Sequence, residues 1–274
     1  MTTMTPEPSP PAGNEPHRAR EIAQSFGADA DRYDRARPGY PDALIKRIVS
    51  ACPGRDVVDV GCGTGIAARQ FHAAGCRVLG VEVDARMADL ARRTGTEVEV
   101  STFEEWDPAG RRFDAVVAAQ AWHWVDPVAG AGRAAEALRE GGRLAAFWNV
   151  FQLPPDLARA FAETYRRVLP ETEFFQRAVP GLEVYAPIFT KAAAGIEQTG
   201  AFDEPERWNF AWQRSYTRDE WLDQVPTFGG HSRFPAQTQR DLLAGLGAAI
   251  DSVGGSFLMQ YATVAVTAAR KTVS

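Results

Sequence analysis

Three glycines at alternate positions, directly after a short apolar run, constrain the fold of this chain more than any other stretch. The apolar run covers residues 57–60, the glycines are Gly61, Gly63 and Gly65, and an alanine-rich amphipathic run continues from 66 to 74. A buried parallel strand, a tight turn and a helix place a ligand at the carboxyl end of the strand, beside the helix N-terminus. Glycine suits such a turn because a backbone without Cβ atoms can approach the ligand closely. The stretch therefore predicts an α/β fold with a ligand site at this turn.

The spacing of these glycines separates several classes of ligand. A dinucleotide fingerprint has the form Gly-x-Gly-x-x-Gly, whereas Gly65 comes one position early and Ile66 occupies the place of the third glycine. A Walker-type phosphate loop is excluded because no Gly-Lys-Ser/Thr sequence follows. The pattern Asp59-x-Gly61-x-Gly63-x-Gly65 instead resembles motif I of the class I S-adenosylmethionine-dependent methyltransferases. The resemblance implies a Rossmann-like, doubly wound α/β sheet of seven strands, the last antiparallel, with S-adenosyl-L-methionine as the cofactor.

An acidic residue closes the second predicted strand, which covers residues 77–81. Glu82 follows Gly61 by about 20 residues, the spacing at which nucleotide-binding α/β folds place a ribose-binding acid. A carboxylate can accept hydrogen bonds from both ribose hydroxyls at once. Asp84 is predicted to cap the next helix, and Met87, one turn into that helix, faces either the adenine or the core.

The turn after the third predicted strand, residues 97–101, is a candidate adenine site. In the resembling family this turn holds the adenine with a backbone amide and an acidic side chain. The residues at the matching positions here are Phe103 and Glu104, although this chain departs from the family's usual Asp-Ala-Glu/Asp motif.

The fourth predicted strand, residues 113–119, is apolar throughout, as a central parallel strand should be. It runs into residues 120–124, which resemble the Gln-Ala-x-His-Trp segment of the type 11, trans-aconitate-methyltransferase-like subgroup. The resemblance implies that Gln120 and Ala121 line the methionine part of the cofactor.

His123 in the same segment is a candidate catalytic base. A histidine with a pKa near 6.5 can take a proton from a substrate hydroxyl, amine or acid. Its neighbours Trp122 and Trp124 are then candidates for substrate contact. The alternative is that His123 and Trp124 only hydrogen-bond and pack to shape the loop, since many methyl transfers need no base.

Two prolines and a glycine in residues 33–41 predict a rigid loop rather than a helix ahead of the core. This stretch resembles the Tyr-x-x-x-Arg-Pro-x-Tyr-Pro lead-in of one methyltransferase subgroup. The resemblance implies a lid over the cofactor, with Tyr33 and Arg37 near its methionine carboxylate, which suits an arginine fork. A packing loop over the sheet edge is the alternative.

A later loop, residues 227–235, supplies His231 and Arg233 as further candidates for the acceptor site, with an ordinary surface loop as the alternative. The complete set of cofactor contacts predicted from the motifs and the resemblance is Tyr33, Arg37, Asp59, Gly61, Cys62, Gly63, Gly65, Glu82, Val83, Met87, Phe103, Glu104, Gln120 and Ala121.

One large domain accounts for most of the chain, because 274 residues with 45% hydrophobic content can bury a full core. Residues 1–16 lack an apolar period and are predicted to form a disordered tail, and a short helix is expected from His17 to Phe26. The domain covers 17–274. It is interrupted at about 153–204 by a segment expected to form a helical cap over the substrate side, with helices at 156–168 and about 188–199.

Composition and charge limit the classes of binding partner that the sequence predicts. A net charge of −5 and a pI near 5.5 give no sign of a nucleic-acid surface. The acids, histidines and three cysteines lack metal-ligand spacing, so no metal is implied and the thiols are read as free. No signal peptide or membrane span is seen, which favours a cytoplasmic protein without membrane contact. Monomer and homodimer stay equally open.

These observations predict a methyltransferase that transfers a methyl group to a small-molecule acceptor, with O-methylation of a carboxylate or hydroxyl as the leading reaction. Two alternatives stay open. An NAD-dependent oxidoreductase also uses a glycine-rich loop and an acid after the second strand, although Ile66 argues against it. A non-catalytic S-adenosylmethionine-binding protein of the same fold would bind the cofactor without turnover.

Overall fold

The structure is a computed structural model that describes residues 26–170 and 182–272. The predicted disordered tail and nearly all of the predicted helix from His17 to Phe26 lie outside the described residues.

A single seven-stranded sheet is the centre of the fold. Its strands are β1 (Asp56–Val60), β2 (Arg77–Glu82), β3 (Glu97–Val100), β4 (Phe113–Ala119), β5 (Leu138–Gln152), β6 (Glu206–Thr217) and β7 (Ser256–Ala269). Their order is β3-β2-β1-β4-β5-β7-β6. All neighbouring pairs from β3 to β5 are parallel, and β7 is antiparallel to both of its neighbours. The predicted doubly wound sheet with an antiparallel last strand is confirmed.

Helices connect the strands. In the described residues they are α1 (Ala30–Ala36), α2 (Asp42–Ser50), α3 (Ile66–Ala73), α4 (Ala85–Arg93), α5 (Pro127–Ala137), α6 (Pro155–Val168), α7 (Leu182–Gln198), α8 (Arg218–Gln224) and α9 (Ala236–Asp251). Several begin at the caps that the sequence offers: the Asp84 side chain accepts from the Arg86 amide at α4, and Asp126 caps α5, where Pro127 follows at the first helical position.

Strands β1, β2 and β4 bury both of their faces, because alternate residues point into opposite layers, whereas the edge strand β3 is partly exposed. One layer packs the sheet against α2 and α3, with Ile48, Phe71, Val57, Val117 and Phe147 among its members. The other layer packs it against α5 and α7, with Val58, Val116, Ala134, Trp148 and Phe189 among its members. A continuous core on each side holds the carboxyl ends of β1, β2 and β4 in fixed register.

The long strands β5, β6 and β7 extend past this core and build a separate one with α6, α8 and α9. Leu157, Trp221, Leu246 and Tyr261 are among its buried members. The two helices of the predicted cap therefore pack on different neighbours: α6 against α9, and α7 against α5. Phe174 and Phe175, predicted to belong to the same cap, lie outside the described residues.

Three boundaries differ from the sequence prediction. Residues 33–36, predicted as loop, belong to α1, because Asp29 caps that helix and the first proline comes only at Pro38. Helix α7 is already helical at Leu182, where the described residues resume, instead of starting at about 188, and it contains Pro187 in its interior. The Asp126-Pro127 start and the Gly141-Gly142 stop in the sequence predict a helix that runs to about Arg139, but α5 ends at Ala137 because β5 already begins at Leu138.

The described residues contain neither a membrane-crossing helix nor a cluster of metal ligands. None of their helices combines the length and the apolar character that a membrane crossing needs. In the same part of the chain, no group of three or more histidine, cysteine, aspartate or glutamate side chains is arranged to hold a metal ion.

Candidate active site

The site lies where the strand order reverses, between β1 and β4. In open α/β sheets the crevice at such a switch point is the usual ligand site. Here Gly61 leaves β1 and Ala121 follows β4, and the two backbones are so close that a Cβ atom at Gly61 would lie 2.6 Å from the Ala121 Cβ. The structure thus brings together two of the predicted cofactor contacts that are 60 residues apart in the sequence.

The glycine turn needs glycine for its backbone conformation. Gly61, Gly63 and Gly65 have φ values of +61°, +55° and +88°, in the left-handed region that other residues rarely adopt. Gly65 is the N-cap of α3. At Gly63 an added Cβ would meet only Met87 Cε, at 3.8 Å, so this position faces Met87 across open space. Cys62, between them, is buried against Gly80, so only its backbone belongs to the turn.

Glu82 is held under the turn by three backbone amides. Its Oε2 accepts from Gly63 at 2.8 Å, and its Oε1 accepts from Val83 at 2.9 Å and Asp84 at 3.0 Å. A carboxylate has about four lone-pair positions, so Oε2 keeps room for one further donor. The carboxylate is 7% exposed, and burial raises its pKa above the ordinary value although the three amides oppose the shift.

Asp59 is the most enclosed acid of the site. Its side chain is fully buried, and neither carboxylate oxygen has a hydrogen bond of normal geometry within the described residues. Burial, reinforced by the charge of Glu82, raises the pKa of Asp59 to about 8. At neutral pH the protonated carboxyl can therefore donate a hydrogen bond, which an ionised one cannot.

The predicted adenine residues lie in different surroundings. Met87 is buried beside the glycine turn. Phe103 stacks on Trp106 with 5.8 Å between ring centroids and belongs to the core, so its side chain faces away from the turn. The Glu104 carboxylate accepts from the Asp126 amide at 2.8 Å, which ties this turn to the start of α5.

The segment ahead of the core crosses the site and reaches the C-terminal half. Arg37 donates from Nε to Thr227 Oγ1 at 2.9 Å and from Nη2 to the Thr227 carbonyl at 2.6 Å. Its guanidinium also lies 5.0 Å from the Tyr33 ring centroid and 4.9 Å from that of Phe228. The fork predicted to bind a carboxylate is thus engaged with the protein itself, and Nη1 is the nitrogen that these two bonds do not use.

Ion pairs fix α1 to both halves of the molecule. Asp34 pairs with Arg69 on α3 at 2.6 Å. Arg32 and Arg35 both pair with Asp223 on α8, at 3.2 and 2.9 Å. Helix α1 therefore bridges the glycine turn and the C-terminal core, in the position that a lid would take.

The loop after β4 carries backbone strain at Gln120, which has a φ of +57° without being glycine. Its amide donates to the Phe147 carbonyl at 2.8 Å and its Oε1 accepts from the Asn149 amide at 3.0 Å. Asn149 in turn donates to the Gly39 carbonyl. The side chain predicted to line the methionine part is thus turned toward β5 and holds the loop in place.

His123 lies in a short 3₁₀ turn, residues 122–124, and is half-buried. Its Nδ1 is 3.2 Å from the indole Nε1 of Trp148, which is itself fully buried. Burial lowers the pKa of His123 to about 4. The imidazole is consequently neutral at physiological pH.

The remaining substrate candidates divide between core, cavity wall and surface. Trp122 is 2% exposed and packs against Phe103, which places it in the core rather than on the substrate side. His231 is buried with its Nε2 2.9 Å from the Tyr165 hydroxyl, and burial lowers its pKa to about 4. Arg233 is exposed to solvent.

Sequence reasoning missed the residues that support these side chains. Trp148 and Asn149 interrupt the small apolar residues of β5, and a bulky donor and an amide in a buried strand were a usable signal. Phe26, Thr227 and Phe228 gave no local signal, since their contacts depend on the folded chain.

Comparison with known proteins gives consistent results. A family model described as a methyltransferase domain matches residues 57–142. An uncharacterized methyltransferase of Mycobacterium tuberculosis is 38% identical over 132 residues, which are 47% of this chain and 54% of the relative. The chain thus spans about half the length of that relative. A ubiquinone biosynthesis O-methyltransferase of Bordetella parapertussis is 28% identical over 166 residues, or 57% of this chain and 68% of the relative.

Solved structures share the fold. A protein from Anaeromyxobacter dehalogenans, described as a type II methyltransferase, superimposes with a TM-score of 0.60 at 22% identity, covering 86% of this chain and 97% of the other. Phosphoethanolamine N-methyltransferase 2 of Haemonchus contortus superimposes with a TM-score of 0.52 at 18% identity, covering 97% and 62%. At these identities the likeness is one of fold.

Proposed function

We propose that this chain, which has the class I methyltransferase fold and carries a methyltransferase domain in residues 57–142, transfers a methyl group from S-adenosyl-L-methionine to a small molecule. The family resemblance read from the glycine motif agrees with the matched domain, which begins at the strand before the glycines. The assignment to the trans-aconitate-methyltransferase-like subgroup stays a prediction.

The observation that carries the proposal is the cradle made by Gly61, Gly63 and Glu82. The turn has left-handed backbone where the cofactor would approach, and Gly63 has open space before it. Glu82 Oε2, with its remaining lone pair, suits a ribose hydroxyl. Asp59 beneath the turn is a buried carboxyl with oxygens left for a polar partner. These groups fit a nucleoside with a polar tail.

When bound, S-adenosylmethionine supplies a methyl group on a positively charged sulfur, which leaves as the neutral thioether once the acceptor's lone pair takes the methyl. The chain contributes orientation and exclusion of water. Glu82 and the glycine turn fix the nucleoside end, while α1 with Tyr33 and Arg37 covers the crevice. The aromatic faces near Arg37 suit a cationic group.

For the acceptor we propose O-methylation of a small molecule. The similarity to a ubiquinone biosynthesis O-methyltransferase supports oxygen as the methylated atom. The aromatic side chains of Tyr33, Trp124 and Phe228 around the crevice suit an acceptor with an apolar body. A soluble small-molecule partner also accords with the net charge of −5, which offers no attraction to nucleic acid.

Calorimetric titration with S-adenosylmethionine tests the proposal, with Glu82→Gln as the diagnostic variant. We expect micromolar-range binding that weakens roughly tenfold in Glu82→Gln, a loss of about 1.4 kcal/mol, because the ribose loses a charged acceptor. Glu206→Gln, at the far edge of the sheet on β6, is the matched control and should bind like the wild type.

Because Glu82 also holds three amides, thermal unfolding of each variant must accompany the titration. Absence of binding to the folded wild type would overturn the proposal, and binding of NADH in its place would favour the oxidoreductase. Binding without release of S-adenosylhomocysteine across a broad acceptor library would favour the non-catalytic binder.

A further inference from the structure

His123 is the candidate base of the predicted reaction, and one contact decides what it can do. The indole nitrogen of Trp148 lies 3.2 Å from His123 Nδ1. An indole N–H can only donate a hydrogen bond, so Nδ1 must be the acceptor. In a neutral imidazole one nitrogen accepts and the other carries the proton. The proton of His123 is therefore on Nε2.

The hydrogen bond from Trp148 to His123 contributes to stability because the indole is fully buried. Its ring packs against Phe189 with 5.4 Å between centroids, and the indole has one polar atom to satisfy. A buried donor without a partner is disfavoured. If His123 were protonated at Nδ1, two N–H groups would face each other and the indole N–H would have no acceptor. Burial also lowers the pKa of His123 to about 4, which keeps the imidazole in the neutral form that the Trp148 contact requires.

The imidazole of His123 also lies at one end of a row of aromatic rings. The imidazole lies 4.7 Å from the ring of Trp124, which contacts Phe26 at 6.2 Å. Phe26 contacts Tyr33 at 6.0 Å, and Tyr33 lies under the guanidinium of Arg37. This row of rings runs from the loop after β4 to the lid helix α1. His123 is thus at the end of an aromatic wall along the site, and no partner of its Nε2 is recorded among the described residues.

We propose that Trp148 is a positioning residue that fixes His123 as a hydrogen-bond donor through Nε2–H, so that His123 orients the methyl acceptor and does not deprotonate it. The proposal deepens the methyltransferase function and rests on it for the identity of the ligand. The single lone pair of the neutral ring is at Nδ1, where the indole occupies it. The methyl acceptor is accordingly a molecule that offers a lone pair to the Nε2–H group of His123. It does not need this histidine to remove a proton.

Nuclear magnetic resonance of protein labelled with ¹⁵N at its four histidines tests the tautomer directly. Long-range ¹H–¹⁵N correlations distinguish a protonated Nε2 from a protonated Nδ1, and the His123→Gln variant assigns the signal. We expect the Nε2–H form of His123 to exceed the other by roughly tenfold or more. A predominant Nδ1–H form, or an imidazolium at neutral pH, would overturn the proposal.

Trp148→Phe removes the indole N–H and keeps an aromatic ring in the core. We expect the two tautomers of His123 to become comparable and its pKa to rise by about one unit. Trp208→Phe is the matched control, because its indole bonds to Glu206 on β6, away from the site, and His123 should not change. An unchanged tautomer ratio in folded Trp148→Phe would show that the indole does not fix it.

The role toward the acceptor is tested by turnover with an acceptor identified through release of S-adenosylhomocysteine. Glutamine keeps an N–H donor at nearly the same reach, whereas leucine does not. We expect His123→Gln to retain at least tenfold more kcat/KM than His123→Leu. Equal loss in both variants would indicate a base and contradict the donor role. The tautomer measurement needs neither cofactor nor turnover, so its failure is distinguishable from failure of the methyltransferase proposal.

Discussion

The two ends of the sheet are built in different ways. Strands β1 to β4 have 5, 6, 4 and 7 residues and are parallel, and all of them except the edge strand β3 are buried on both faces. Strands β5, β6 and β7 have 15, 12 and 14 residues, and β7 runs antiparallel between the other two. At the first end the candidate ligand groups are the backbone of the glycine turn and the Glu82 side chain at the end of β2. The second forms its part of the crevice from side chains that are distant in the sequence.

The difference shows where chemistry can be encoded locally. At the glycine turn the conformation of consecutive residues positions Gly61 and Gly63, and Glu82 follows at the end of the neighbouring strand, so two local sequence signals specify the cradle. In the half built by β5, β6 and β7 the contacts join segments such as Arg37 and Thr227, which are 190 residues apart. Helix α1 connects the two ends through Asp34–Arg69 on one side and Arg32 and Arg35 with Asp223 on the other.

The largest loss of stability is expected from Gly61→Ala, which changes the glycine turn in the half built by β1 to β4. The residue has a φ of +61°, and the new Cβ would lie 2.6 Å from that of Ala121. Left-handed strain of 1–2 kcal/mol and overpacking of similar size add to roughly 3 kcal/mol of lost stability, measured by urea unfolding. Gly75→Ala is the control, since its φ is +83° but no atom lies within 4 Å.

Gly75→Ala should cost only the conformational part, about 1 kcal/mol. Equal losses in the two variants would show that the approach of β1 to the loop after β4 is not tight, and would weaken the account of the switch-point site.

An intermediate effect is expected from Asp59→Asn, and it depends on pH. The folded pKa of Asp59, about 8, lies above its unfolded value. The stability it contributes is therefore fully present below about pH 4 and is lost as the pH rises toward 8. Asparagine does not titrate, so between pH 6 and pH 7 the stability of the variant should rise relative to that of the wild type by up to about 1.4 kcal/mol.

Unfolding in urea at a series of pH values, without cofactor, measures this gain. Glu206→Gln is a control of opposite sign, because hydrogen bonds from Trp208 and Arg143 lower the pKa of Glu206. Its contribution is lost only as the pH falls, so the curve for Glu206→Gln should run parallel to the wild type above about pH 5. A parallel curve for Asp59→Asn as well would mean that Asp59 is ionised and partnered in the folded protein.

The smallest effect is expected from Asp223→Asn, which cuts the link of α1 to the C-terminal half. Arg32 and Arg35 are 40% and 62% exposed, so the loss of stability should be below about 1 kcal/mol and should vanish in high salt. Hydrogen exchange of the α1 amides should nonetheless quicken at low salt. Asp156→Asn, whose partner Arg159 lies within the same helix, should leave α1 unchanged.

Much of the parallel half of the fold could be predicted because its signals are local. The bounds of β4 and α4 follow from an apolar run and from the Asp84 cap. The prolines at positions 38 and 41 do not prevent helix formation just ahead of them, and residues 33–36, predicted as loop, belong to α1. The support of His123 by Trp148 could not be predicted, because it depends on the parallel register of β4 with β5. The half built by β5, β6 and β7 depends on packing between distant segments, which no motif records.

The strand order has a consequence for synthesis on the ribosome. Strand β7 pairs with β5 along ten residues but is translated after β6, α8 and α9. About 100 residues separate the end of β5 from the start of β7, which at ~5–20 residues per second takes roughly 5–20 s. Throughout that interval the nascent chain presents an unpaired strand edge, the kind of surface to which other chains add. The half with the glycine turn has all of its strands by then, so the half built by β5, β6 and β7 is the part of the newly made chain that is most open to pairing with other chains.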